Sequence, residues 1–172
     1  MATVSESTAV EPLRIIITGG TFDKQYDEIR GELTFRTTHL PKILERVRVT
    51  VPVELEIEQL VDSLQMNDEH RGEVVSSCVD ASERRIIVTH GTDTITQTAR
   101  LIAAESLEKT VVLTGAMVPF AFTDSDAEFN LGCAFAAVQI LEPGVYIAMN
   151  GRIFREGTVR KNRALGVFEE ID

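Results

Sequence analysis

Four side chains of this sequence could perform acyl-transfer chemistry together: the hydroxyls of Thr21 and Thr92, the carboxylate of Asp93 and the amine of Lys161. A threonine hydroxyl is a poor nucleophile at its free pKa and needs a base, which a lysine supplies once burial brings its pKa toward neutrality. Backbone N–H groups of a glycine-rich turn or a helix start can then stabilise the oxyanion. Thr21 ends the segment Thr18-Gly19-Gly20-Thr21, and Thr92 lies within His90-Gly91-Thr92-Asp93-Thr94; each segment follows a short β-branched apolar run, residues 13–17 and 85–88. Such runs read as buried parallel strands. Ligands of open α/β sheets bind outside the carboxyl ends of the strands, so Thr21, Thr92 and Asp93 are expected to be neighbours. Taken singly, either segment has a plainer reading, because Thr and Asp at a helix start are usually caps and Gly-Gly after a strand is usually a tight turn. The combination with Lys161 is what points to a site.

The elements that must carry these groups follow along the chain. Residues 22–31 form a polar stretch ending in Gly31 and read as a flexible flap. Leu40, Ile43, Leu44 and Val47 recur at helical spacing with Pro41 in the first turn, and Val51, Val53, Leu55 and Ile57 alternate with polar residues as in a half-solvated strand near a sheet edge. Asn67 or Asp68 caps a helix to about Ser82 that turns Val74, Val75, Cys78 and Val79 inward. Thr94-Ile95-Thr96-Gln97 and Ser125-Asp126-Ala127-Glu128 both fit capping boxes. The first starts a helix with Ile95, Ala99, Ile102 and Ala103 inward; the second starts one with Phe129, Cys133, Ala136, Ala137, Ile140 and Leu141 at helical spacing. Residues 110–114 and 144–149 are further strands, and 151–172 is a mixed tail rich in Arg and Lys. Strands alternating with helices predict an α/β, three-layer flavodoxin-like domain with a mostly parallel sheet. Residues 1–12 read as a flexible N-terminal tail and 13–172 as the domain.

Composition narrows the function. The chain has 172 residues, enough for one domain that buries roughly two-thirds of its unfolded surface. A net charge of −10 disfavours nucleic-acid and anionic-membrane partners, which need clustered Lys and Arg, and leaves small molecules. No apolar run is long enough to span a membrane and the N-terminus lacks a secretory pattern, so a cytoplasmic location is expected. Cys78 and Cys133 fall on apolar helix sides, and His39, His70 and His90 make no metal-ligand spacing with them, so neither a disulfide nor a metal is expected.

With these residues in view, the chain resembles the bacterial-type L-asparaginases, hydrolases that convert L-asparagine to L-aspartate and ammonia. The resemblance covers nearly the whole chain. It is carried by Ile17-Thr18-Gly19-Gly20-Thr21 and Val88-Thr89-His90-Gly91-Thr92-Asp93-Thr94, with support from Ser63-Leu64-Gln65-Met66-Asn67-Asp68, Leu113-Thr114-Gly115-Ala116-Met117, residues 126–131 and Val159-Arg160-Lys161-Asn162. It implies that Thr21 attacks the side-chain amide carbon to give an acyl-enzyme, that Thr92, Asp93 and Lys161 handle protons, and that Asp93 and Ser63 bind the substrate ammonium and carboxylate, with Thr92 also in the substrate-binding set. Thr21 ranks above Thr92 as the first nucleophile without excluding it. The resemblance also implies a catalytic tyrosine, assigned to Tyr26, no cofactor, and a homo-oligomer, dimer or tetramer.

Two departures accompany the resemblance. Family members commonly carry a second, smaller domain after the lysine segment, so this sequence reads as a short, single-domain form with one side of its substrate pocket open or rebuilt. Tyr26 also lies closer to the first-motif threonine than the family's tyrosine usually does. The alternatives are a mixed glutaminase-asparaginase, since one methylene is worth only about 1–3 kcal/mol of discrimination, and a nucleotide- or ligand-binding module. The second lacks both common phosphate-loop patterns.

Overall fold

A computed structural model describes residues 10–171 of the chain. Of the expected tail, residues 1–9 lie outside the described residues, and Val10, Glu11 and Pro12 precede the first strand without regular structure. The central sheet has six strands. Five are parallel: β1 (Leu13–Gly19), β4 (Val53–Val61), β5 (Arg85–Thr89), β6 (Thr110–Thr114) and β7 (Gly144–Met149). Their order is β4-β1-β5-β6-β7, and β8 (Arg152–Arg155) closes the far edge antiparallel to β7. That is the flavodoxin-like order, with its switch point between β1 and β5.

Strands β1, β5 and β6 are covered on both faces and for that reason read as unbroken apolar runs. Ile15, Ile16, Ile17, Ile86, Ile87, Val111 and Val112 are all fully buried, and burial of each such side chain stabilises by about 1.5–3 kcal/mol. One face carries a core of Ile16, Ile86, Val88 and Val111 with Val74 and Cys78 of α2 (Asp68–Asp80) and Ile95, Ala99 and Ile102 of α3 (Ile95–Ala104). The other face carries Ile15, Ile17, Ile87 and Val112 with Leu40 and Ile43 of α1 (Leu40–Arg46) and Leu131, Ala134 and Val138 of α4 (Ala127–Ile140). The β4 edge departs from the expected alternation: Leu55 and Ile57 are 37% and 54% exposed, while Glu56 and Glu58 are half-buried because Arg14 Nη1 and Ser77 Oγ donate to their carboxylates. None of the described helices is long and apolar enough to cross a membrane.

Several local expectations need correction. The flap is a small hairpin: a 3-10 turn at Thr21–Asp23 buries Phe22 and Asp23, and β2 (Gln25–Asp27) pairs with β3 (Glu32–Thr34). Val79 is 42% exposed, whereas Arg71 takes an inward place on α2. Neither expected capping box on α3 or α4 forms. Thr94 instead donates its hydroxyl to the Ser63 carbonyl at 3.0 Å, and Asp126 turns its carboxylate onto the N–H groups of Met117 and Val118. The capping box that does form is at α2, between Asn67 and His70. On α4 the buried face is rotated: Phe129 and Ile140 are 63% and 79% exposed, while Asn130, Leu131, Ala134 and Val138 are inside. The helix is apolar almost all round, so hydrophobic spacing alone cannot choose its inner face.

The strand-end turns meet without room for side chains. Gly20 has φ +70, and a Cβ there would lie 2.4 Å from Gly91 N; a Cβ on Gly91 would lie 2.4 Å from Ser63 Oγ. Gly20→Ala should therefore cost about 2–4 kcal/mol, combining a left-handed backbone with overpacking. Gly157, at φ +79 with nothing within 4 Å of its Cβ position, serves as the control, and Gly157→Ala should cost about 1–2 kcal/mol. Urea unfolding of the two variants checks this, and equal losses would contradict the close-contact account.

Candidate active site

The site is built at the carboxyl ends of the parallel strands. Gly20 N donates to Val61 O at 3.0 Å, which holds the Thr21 turn against the end of β4, and Lys24 N donates to Thr21 O at 3.2 Å. Thr21 is half-buried on this turn. Past β4, Lys24 pairs with Asp62, so the root of the flap is tied to the loop that carries Ser63. Burial disfavours the Asp62 carboxylate, yet Lys24 and the Leu64 N–H together hold its pKa below the usual range. Ser63 is 2% exposed, packed beside Gly91.

Thr92 and Asp93 stand between the end of β5 and the start of α3, and Lys161 reaches them from a separate element. Within the mixed tail, the chain after β8 forms an antiparallel hairpin, β9 (Val159–Asn162) with β10 (Val167–Glu170). Val159 and Phe168 sink into the α2/α3 core and dock the hairpin. Alternate residues of a strand share a face, so Lys161 leaves β9 on the same side as Val159. Its Nζ donates to Thr92 Oγ1 at 2.7 Å and to Asp93 Oδ1 at 3.0 Å, with the side chain 12% exposed. Arg163 Nε lies 3.5 Å from the same Asp93 oxygen, placing this carboxylate between two cations. Thr92 Oγ1, accepting from the amine, keeps its own proton free to donate.

His90 and the loop after β6 support this group from behind. The His90 ring is fully buried, with Nδ1 2.8 Å from Gly91 O and Nε2 2.8 Å from Thr98 Oγ1. A carbonyl on one side fixes the proton on Nδ1, and the other nitrogen accepts from Thr98. Burial pushes the imidazole down to about 4 from 6.5, so it is neutral near pH 7 and unsuited to be the base. Gly115 lies against His90 O, where a Cβ would approach to 2.4 Å. Asn130 Nδ2 donates to Gly115 O at 3.0 Å and to Asp126 Oδ2 at 2.8 Å, which anchors that loop.

The structure thus brings together Thr92, Asp93 and Lys161 by direct contact and places the turns of Thr21 and Ser63 against the Thr92 segment. Tyr26 is not brought in: it is 55% exposed on β2, and its hydroxyl lies over the hairpin turn, 4.0 Å from the Cβ position of Gly31. Sequence reasoning missed the supporting roles of Asp126, Asn130 and Thr94. A polar Asn130 in an apolar helix was the available signal. Among the described residues, no group of three or more His, Cys, Asp or Glu could hold a metal ion. A groove of about 670 Å³ between β4 and α2, lined by Arg14, Glu56, Glu69 and Asp80 among others, includes none of the site residues.

A flavodoxin-like sheet with two threonines and a carboxylate in the loops at its strand ends, and a part-buried amine brought to them by a separate hairpin, defines a class of α/β proteins with a polar crevice at the carboxyl edge of the sheet. The chain belongs to the asparaginase N-terminal family, whose model matches residues 12–169. An L-asparaginase of Thermococcus kodakarensis is 36% identical over 91 residues, covering 51% of this chain and 28% of that protein. The solved structure of the thermostable L-asparaginase from that organism matches with a TM-score of 0.83 and 27% identity, over 93% of this chain and 51% of the other. A Campylobacter jejuni structure described as a probable cytoplasmic L-asparaginase matches with a TM-score of 0.80 and 26% identity, over 94% and 53%. The human 60 kDa lysophospholipase is 33% identical over 149 residues, 81% of this chain and 25% of that protein. The chain spans about a quarter to a half of the length of these relatives.

The His90 environment sets a pH dependence. Its folded pKa, about 4, lies below the unfolded value, so the unfolded chain binds the extra proton first and the stability from this group is lost as pH falls from about 6.5 to 4. The loss is on the order of 3 kcal/mol. Urea unfolding at pH 7 and pH 4.5 should show wild type losing more stability over that interval than His90→Gln; parallel losses would contradict a neutral buried ring.

Proposed function

We propose that this chain is the catalytic domain of an L-asparagine amidohydrolase, acting through a threonine nucleophile and an acyl-enzyme without a cofactor. The observation that carries the proposal is the single amine of Lys161 shared between Thr92 Oγ1 and Asp93 Oδ1. In this reading residues 13–172 act as one unit. Thr21 Oγ attacks the side-chain amide carbon, and its proton passes to the Thr92–Lys161–Asp93 group, which returns it to the leaving ammonia. Backbone N–H groups of the glycine-rich turns stabilise the oxyanion. Water then hydrolyses the ester to give L-aspartate. Asp93 also receives the substrate ammonium, and Ser63 its carboxylate.

The names of the archaeal and Campylobacter relatives support the substrate class, and the Campylobacter description supports a cytoplasmic setting. A role for Tyr26 requires the β2–β3 hairpin to close over Thr21. Oligomerisation belongs to the same proposal, in closed symmetry with a dimer as the smallest form; light scattering beside an activity assay tests it, and an active strict monomer would overturn it.

The direct test is ammonia release from L-asparagine, L-glutamine and D-asparagine side by side, with no nucleotide or metal added. Release from L-asparagine is expected. Comparable release from L-glutamine would make the chain a mixed glutaminase-asparaginase, and none from any amide would end the proposal. Thr21→Val, which keeps the side-chain shape, should abolish turnover in a folded protein; retention of about a tenth of the activity would move the nucleophile to Thr92. Lys161→Met should cost roughly 10²–10⁴ in kcat with a smaller change in KM, and Asp93→Asn should lower kcat and raise KM. Residues acting as a unit are not additive, so the double variant should be barely worse than the poorer single one. Fully multiplicative losses would mean that the two residues work independently.

A further inference from the structure

The turn that presents Thr21 is held at its far end by a carboxyl to which the reaction above gives no part. Asp23 is fully buried, and its Oδ1 accepts from Thr38 Oγ1 at 3.0 Å and from His39 N at 2.9 Å. Thr38 Oγ1 in turn accepts from Leu40 N at 3.2 Å, at the first residue of α1. Residues 24–37, between these partners, carry the β2–β3 hairpin of the flap, so one side chain joins both sides of the hairpin's base and the start of α1. The cluster is closed by the His39 ring against Phe120, with centroids 5.2 Å apart, and by Phe120 N donating to Phe22 O at 3.3 Å. Asp23 Oδ2 has no protein partner, and burial, opposed by the His39 and Thr38 hydrogen bonds, pushes the carboxyl above its ordinary range.

A buried carboxyl with one oxygen unpartnered is costly on stability grounds alone. Its geometry indicates what it contributes. Asp23 is the last residue of the turn Thr21–Asp23, and Asp23 N donates to Gly20 O at 3.3 Å, so the clasp and the turn share one backbone. Freeing the carboxyl would leave the Thr21 turn anchored at the Gly20 end and by Lys24, while the flap and α1 could move apart.

We propose that Asp23 is a positioning residue: through Thr38 and His39 it clasps the base of the β2–β3 flap and holds the Thr21 hydroxyl at the strand-end crevice. The part that concerns Thr21 as nucleophile rests on the hydrolase reading above; the clasp itself does not. Asn at this position can still accept both hydrogen bonds, whereas Ala and the Thr38→Val change remove all or part of the clasp.

The test compares Asp23→Ala, Asp23→Asn and Thr38→Val in the full chain by kinetics and by amide hydrogen exchange. A misplacement of about 1 Å costs roughly 10²-fold in rate, so Asp23→Ala should lose about that much in kcat with KM little changed. Asp23→Asn should recover most of it, and Thr38→Val should fall between. In the same order, amides of residues 21–37 should exchange faster than wild type while those of β5 and β6 stay protected. Unchanged exchange over 21–37 in Asp23→Ala, or an Asn variant as impaired as the Ala variant, would overturn the proposal. If Asp23→Ala does not fold, wild-type exchange and kcat in Thr38→Val would overturn it equally. If the wild type releases no ammonia, the hydrolase reading fails, and the exchange arm still decides whether the clasp exists.

Discussion

The site depends on glycines whose missing Cβ atoms let three strand ends close on one another. The Gly20 turn touches the Gly91 turn, and the Gly91 turn touches Ser63, at separations that no Cβ could enter. This contact is permitted only because β1 lies between β4 and β5 in the sheet, so the loops leaving all three converge at one edge. The buried isoleucines and valines on both faces fix where those strands end. Packing of the core is thereby converted into the position of two hydroxyls.

Around that contact, each charge has a defined counterpart. Asp93 stands between Lys161 and Arg163, and Asp62 is held by Lys24. A part-buried amine shared by a hydroxyl and a carboxylate is suited to moving protons, because the pair is partly shielded from water and its geometry is already set. His90 does the opposite job. Its ring is fully buried, stays neutral and spends both nitrogens on Gly91 and Thr98, so it stiffens the segment that carries Thr92. The amine arrives on the β9–β10 hairpin, which is docked by Val159 and Phe168 and lies outside the strand ladder of the sheet.

Much of this was legible in the sequence wherever local pattern and global packing agree. Residues 13–17, 85–88 and 110–114 are apolar and β-branched because both faces of the strands are covered, and the turn residues after the first two point straight to the crevice. Other features were hidden for physical reasons. On α4 the apolar residues surround the helix, so spacing suggested Phe129 and Ile140 as inner residues although both are exposed. Thr94 and Asp126 have the types and spacing of caps, yet long-range partners claim their side chains, Ser63 O for one and the Met117 and Val118 N–H groups for the other. The β9–β10 hairpin is too short and charged to show strand periodicity, and Lys161, a candidate amine by its chemistry, is set apart from the neighbouring tail cations only by the family resemblance. The bond from Asp23 to Thr38 joins the two ends of a loop, which no local pattern encodes.

In the proposed reaction a threonine at a strand end carries the acyl group during turnover, with Thr21 ahead of Thr92. Acid-quenching the chain during steady-state reaction with L-asparagine and mapping its peptides by mass spectrometry tests this most directly. The account predicts one aspartyl ester on the peptide containing Thr21, absent when L-asparagine is omitted. An ester found only on the peptide containing Thr92, or ammonia released with no modified peptide at all under conditions where an ester survives the quench, would contradict it.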